Sequence, residues 1–223
     1  NLTQGHPLYI EETIRYLLDK ERLVRKAEHF ELEGNLADLV LPTTFAAIVE
    51  NSLAALAPSQ IQLLQALAVL GRPAEAGLLE RVLGIASEEL RQLSRGLLRK
   101  HFLTRSWAEG EYLFALRHDQ FGQLFYERLE PQGRAELHAR IAEALQARLP
   151  GQGLSSDVSA SSEIALHYAE GIDARAQDRD YLHGAFQWCE RAGRLAIESV
   201  SYHQALEILR RAQRLAKLGG TEL

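Results

Sequence analysis

His118 is the side chain best placed to do chemistry. It ends a strand-like run through Tyr112, Phe114 and Leu116, and stands directly before Asp119 and an amphipathic run containing Phe121 and Phe125. An imidazole at a strand-to-helix junction lies beside backbone N–H groups that a first helical turn leaves unpaired. Such a junction can hold a phosphate, and a histidine there adds a donor. The plainer alternative is a polar junction residue hydrogen-bonded to local backbone. Asp119 then suits the positive end of the helix dipole and is no catalytic acid.

The remaining reactive residues assemble into no catalytic set. The eight histidines (6, 29, 101, 118, 138, 167, 183 and 203) include no H-x3-H or H-E-x-x-H pair, so no metal site is expected. Cys189, the lone cysteine, shares an apolar helix face with Phe186 and reads as a buried small hydrophobe. Gly151 and Gly153 lack a preceding strand and a third glycine, which makes them loop residues rather than a dinucleotide motif. Glu11 and Glu12 are adjacent and point apart on a helix. No nucleophile-base pairing emerges, and the chain as given is not expected to be an enzyme.

These residues sit on a mainly helical framework. Pro7 opens a helix with Ile10, Ile14, Leu17 and Leu18 at helical spacing. Leu41-Pro42-Thr43-Thr44 starts a second, over Phe45 to Leu56. Ser59 and Gln62 fit a capping box for a helix that runs to Gly71. A short helix is expected over 74–83, and Ser87 caps the next, with Leu90, Leu93, Leu97 and Leu98 on its buried face. The period then changes to two strands, 101–106 and 111–116, around a four-residue loop ending at Gly110. Three helices and a hairpin make a winged helix-turn-helix unit at about 58–128. Its third helix carries Arg91, Arg95 and Arg99, the residues that would contact DNA if it entered a major groove. Glu88 and Glu89 on the same helix oppose that role.

Beyond Pro131 the pattern is helical again, broken by a Gly- and Ser-rich connector over 150–162. Helices follow near 162–171, 179–198 and 202–218, with small residues (Ala185, Gly193, Ala205, Ala212) at positions that let helices pack closely. Tyr202 to Leu215 has part of a tetratricopeptide-repeat signature. The fold class is therefore mainly α: a helical lid over 1–57, a winged helix with one hairpin over 58–128, and stacked helical hairpins over 129–223.

With 46% hydrophobic and 25% charged residues the composition is that of a globular protein. A net charge of −5 argues against a strong nonspecific nucleic-acid footprint. No apolar run approaches the roughly 18 residues of a membrane span, residues 1–20 hold no signal peptide, and a lone cysteine suits the cytoplasm. The chain contains no methionine, which reads as a segment cut from a longer protein.

The order of motifs resembles the STAND class of signal-transduction NTPases, above all bacterial transcription regulators of the MalT/LuxR and SARP type. Gly5-His6-Pro7 is similar to the Gly-x-Pro segment that opens the helical lid of that class. Leu41-Pro42-Thr43-Thr44 resembles a turn before a later lid helix, and Phe114-x-x-Arg117-His118-Asp119 matches the place of its winged-helix histidine motif. Arg134-x-x-Leu137-His138 and Ala165-Leu166-His167-Tyr168 resemble the linker into a tetratricopeptide-like superhelix. The resemblance implies an ATP/ADP switch using magnesium, in which Pro7 packs on adenine and His118 reaches the phosphates of ADP. It also implies an intramolecular nucleotide-binding domain as partner, and an inducer or protein on the helical repeats. One departure is severe. No G-x-x-x-x-G-K-[ST] loop occurs, so no cofactor is expected on this segment itself. Two alternatives stand beside this reading: a stand-alone helical adaptor for protein–protein interaction, and a winged-helix DNA-binding protein.

Overall fold

A computed structural model describes residues 7–26, 29–33, 50, 53–108, 110–149, 158–199 and 201–218. The chain divides into two units, Asn1–Ile61 and Gln62–Leu223. The described residues are mainly helical, as the apolar periodicities predict, with two small antiparallel sheets.

In the first unit Pro7 begins helix α1 (Pro7–Asp19), where its fixed φ and missing N–H cost nothing. Arg15 and Glu11, one turn apart, pair at 2.9 Å. Glu21 takes a positive φ of 56° as the chain leaves the helix. A hairpin of β1 (Leu23–Arg25) and β2 (Phe30–Leu32) follows, with Leu23 opposite Leu32 and Arg25 opposite Phe30. The charged composition of this stretch concealed it. The helix expected over 45–56 and the Leu41-Pro42 turn lie largely outside the described residues. Leu53 and Leu56 are buried.

The boundary falls within α2 (Pro58–Leu70), which buries Leu63, Leu64, Ala66, Leu67, Val69 and Leu70 in the second unit. Its start corrects the expected capping box: Gln60 Oε1, not Gln62, accepts the Ala57 N–H at 3.1 Å. Pro58 fixes the first turn, which shifts the cap upstream of Ser59. Gly71 ends the helix at φ +67°, a conformation that favours glycine. Residues 74–75 are a strand rather than helix. This β3 (Ala74–Glu75) pairs with β5 (Glu111–Leu116), which pairs with β4 (Leu103–Ala108), in the order β3-β5-β4. Between them lie α3 (Ala76–Leu83) and α4 (Ser87–Arg99). Ser87 is the first residue of α4 and not its cap: Ala86 holds that place, without a side-chain hydrogen bond.

The hairpin is tighter than expected. Ala108 lies opposite Glu111, which leaves a two-residue turn in which Gly110 has φ +88°. Helix α5 (Asp119–Glu127) follows and buries Phe121 and Phe125 against Phe102, with ring centroids 5.4 and 6.4 Å from Phe102. Burial of each ring contributes about 2–3 kcal/mol.

Helices α6 (Pro131–Gln146), α7 (Val158–Glu170), α8 (Ile172–Arg175), α9 (Arg179–Glu198) and α10 (Tyr202–Leu218) complete the unit. Helix α7 starts at Val158, inside the stretch whose serines read as connector. Ser161 and Ile164 are buried there, so packing overrides local propensity. Helix α6 packs on α7, α7 on α9, and α9 on α10. Ala139, Ala142, Ala165, Ala185, Ala192 and Ala212 lie in their common core, and these short side chains allow close helix approach. Asp178 caps α9 by accepting the N–H groups of Asp180 at 3.1 Å and Tyr181 at 3.0 Å.

Candidate functional site

The structure places His118 at the junction that the sequence predicts. It is the N-cap residue of α5, with φ −140° and ψ 140°, and caps no N–H through its side chain. The half-buried ring meets Phe121 edge-on, with centroids 5.6 Å apart. A cleft of about 390 Å³ runs along the first turns of α5 and the end of α2, lined by Arg72, Pro73, Leu116, Asp119 and Gly122 among others. His118 is not in that lining, and a carboxylate, Asp119, is. Arg72, the cation there, is engaged elsewhere. Its Nε and Nη2 donate to the two carboxylate oxygens of Glu163 at 2.6 and 3.2 Å, and its Nη1 donates to the Pro73 carbonyl at 2.8 Å. Burial works against the Arg72 charge, but Glu163 and Glu75 outweigh it and raise its pKa above the usual value.

Pro7 stands at the head of α1 in the first unit, and its side chain lies outside what is described. Arg91, Arg95 and Arg99 are exposed along α4. Arg91 bonds to Glu88 three residues earlier, and that bond holds the Glu88 carboxyl below its ordinary range.

The residues the structure brings together are others. His138 on α6 and His167 on α7 are 5% and 2% exposed, and their Nδ1 atoms lie 2.9 Å apart. The Tyr126 hydroxyl is 3.4 Å from Nε2 of His138. Arg134 stacks over the Tyr126 ring at 4.2 Å and donates to the Tyr126 and Leu129 carbonyls at 3.1 and 3.3 Å. Burial, and then the Arg134 charge, lower the His138 pKa to about 4. Burial, then His138 and Arg72, lower that of His167 to about 3. Both rings are therefore neutral at pH 7, and one proton bridges the two Nδ1 atoms.

Ion pairs also join the winged helix to the helical hairpins. Arg72 of the winged helix holds Glu163 of α7. Arg148, just past α6, holds Glu75 at 3.0 Å and Glu111 at 3.1 Å, one on each of two paired strands. Burial raises the Glu75 pKa, but its backbone hydrogen bond and the two arginines outweigh this and leave it lowered. Further out, Gln146 Oε1 accepts from Tyr168 and from Trp188 Nε1 at 3.0 Å. Cys189 is fully buried, and burial pushes its thiol up to about 11, so it is no thiolate nucleophile at pH 7.

A second cleft, of about 320 Å³, opens beside the histidines. It is walled by Val69 and Leu70 of α2, Leu166 of α7 and Ile208 of α10, with His138, His167, Cys189 and Arg211 also in its lining. Among the described residues no three His, Cys, Asp or Glu side chains are grouped to hold a metal ion. No described helix is long and apolar enough to cross a membrane.

Sequence spacing gave no reason to join His138 to His167, 29 residues apart. A usable signal existed within each helix. His138 is in phase with Ile141, Ala142 and Leu145, and His167 with Ile164 and Tyr168, so both fall on apolar stripes.

Comparison with family models and with curated proteins finds no match to the chain.

Proposed function

We propose that this chain is the regulatory and coupling segment of a STAND-type ATP/ADP switch, a cytoplasmic bacterial transcription regulator. The observation that carries this reading is the junction between the winged helix and the helical hairpins. Arg72 with Glu163, Arg148 with Glu75 and Glu111, and the Tyr126-His138-His167 contacts tie the two parts of one unit together. A displacement of α5 at His118 passes through Tyr126 to α6 and α7, because packed interiors move in discrete steps rather than by continuous deformation. In this mechanism ADP on a separate nucleotide-binding domain contacts Pro7 and His118, magnesium and ATP replace it on activation, and the hairpins receive an inducer or partner. Helix α1 adds support: Ile10, Ile14 and Leu18 are exposed one turn apart, an apolar stripe suited to packing on a further domain.

The test is the nucleotide content of the protein made from its whole reading frame, wild type beside His118→Ala, released by denaturation and separated by chromatography. Bound ADP in the wild type and its loss in the variant is the expected result. Nucleotide-free wild type overturns the reading.

One observation favours duplex DNA as a second reading. Residues 90–108 contain Arg91, Arg95, Arg99, Lys100 and Arg105 and no acid, in a chain of net charge −5. That reading requires salt-dependent duplex binding that Arg95→Gln/Arg99→Gln abolishes.

A further inference from the structure

The 320 Å³ cleft between α2, α7 and α10 is lined by a buried histidine, His167, and by Arg211. His167 is 2% exposed, and its Nδ1 is engaged with His138. Its Nε2 has no hydrogen-bond partner among the described residues. The direction of the relay fixes what this atom offers. A phenol is a stronger donor than a neutral imidazole, so we assign Tyr126 O–H as the donor to His138 Nε2 across 3.4 Å. The His138 proton then sits on Nδ1 and is donated to His167 Nδ1, which leaves the His167 proton on Nε2. His167 thus presents an N–H to a mostly apolar cleft, where an acceptor on a bound molecule can meet it.

The charges around the cleft define the matching group. Glu163 is occupied bidentately by Arg72. Arg211 lines the cleft and is held only at 3.5 Å by Glu170. Glu207, also in the lining, is exposed to solvent. Val69, Leu70, Leu166 and Ile208 offer hydrocarbon surface. We propose that this cleft binds a small monocarboxylate with an apolar body, its carboxylate received by His167 Nε2–H and the Arg211 guanidinium. The volume is at the lower end of the roughly 300–1,000 Å³ of small-molecule sites, which favours a branched short-chain acid over a large ligand. If the acid also carries an α-ammonium group, Glu207 is the side chain to receive it. The ligand touches both the winged helix, at Val69 and Leu70, and the hairpins, so its binding bears on their junction. The site stands independently of the nucleotide-switch reading, because its test uses no nucleotide.

The probes are 4-methylvalerate, its neutral amide and L-leucine, titrated calorimetrically into the whole chain. A second readout is the thermal midpoint of the whole chain, which a ligand that binds only the folded state raises. The acid is expected to bind about tenfold or more tightly than the amide, as for a charge-assisted hydrogen bond, and to raise the thermal midpoint. Arg211→Met, at a half-buried position, is expected to erase the difference between acid and amide. Tighter binding of L-leucine than of 4-methylvalerate assigns the site to amino acids, and the reverse to simple acids. Equal binding of acid and amide by the wild-type chain overturns the proposal. So does an unchanged thermal midpoint with no heat from any probe at millimolar concentration.

Discussion

Lowering the pH from 7 to 5 is predicted to destabilise the second unit through His138 and His167. Both imidazoles bind protons less readily folded than unfolded, with folded pKa values of about 4 and about 3 against the ordinary 6.5. The unfolded state therefore takes up more protons as the pH falls through 6.5, and stability is lost from there down to the folded values. It is not regained on further acidification. At pH 5 each unfolded imidazole is stabilised by about 2 kcal/mol by protonation while the folded rings stay neutral, so the pair costs about 4 kcal/mol. That is a large share of the about 5–15 kcal/mol that holds a domain together. Glu75 and Glu136 have folded pKa values below the usual carboxylate value, so their contribution is lost only at lower pH, as it falls through that folded range. The pH 7 to 5 window thus isolates the imidazoles. Urea unfolding followed by far-ultraviolet circular dichroism is the assay. For a slope of about 2 kcal/mol/M the midpoint falls by about 2 M. In the His138→Gln/His167→Gln double variant most of this shift disappears. Coincident midpoints at the two pH values, or a full shift in the double variant, would refute the reasoning.

Three substitutions probe the packing. A Cβ at Gly171 would stand 2.7 Å from the Ala139 nitrogen and 2.9 Å from its Cα, besides striking the Tyr181 hydroxyl. Because backbone cannot yield as a side-chain tip does, Gly171→Ala is expected to cost about 3 kcal/mol in urea unfolding at pH 7. A Cβ at Gly184, inside α9, would meet the Tyr168 side chain first, at an ordinary contact distance of 3.6–3.7 Å, so Gly184→Ala is expected to stabilise by up to about 1 kcal/mol in the same assay. Arg72→Met removes the partner of Glu163. With both side chains partly exposed the expected loss is about 1–2 kcal/mol, seen as a lower thermal midpoint that high salt narrows relative to wild type.

The helices were legible because their apolar residues recur at helical spacing. Leu63, Leu64, Leu67 and Leu70 mark α2, and Ala185, Cys189 and Ala196 mark α9. The hairpin was legible from Phe114 and its neighbours, and His118 lies at the junction that they define. The turn was misjudged because register, not composition, sets its length: Trp107 and Ala108 pair with Tyr112 and Glu111, leaving two residues to turn. Residues 158–161 were hidden because burial of Ser161 is decided by α7 packing, which serine propensity does not reveal. The junction was the least legible part. Arg72 and Glu163 lie 91 residues apart and His138 and His167 29 apart, so only tertiary structure brings them together.

The central claim is that nucleotide state reaches the helical hairpins through the winged helix as one coupled body. Hydrogen exchange measures this directly on the protein of the whole reading frame, loaded with ADP and then with a non-hydrolysable ATP analogue. The account predicts that protection changes together in α5, α6 and α7, and that Arg72→Met weakens the change in α7 while sparing that in α5. Identical exchange in the two states, or a change in α7 that Arg72→Met leaves intact, would contradict it.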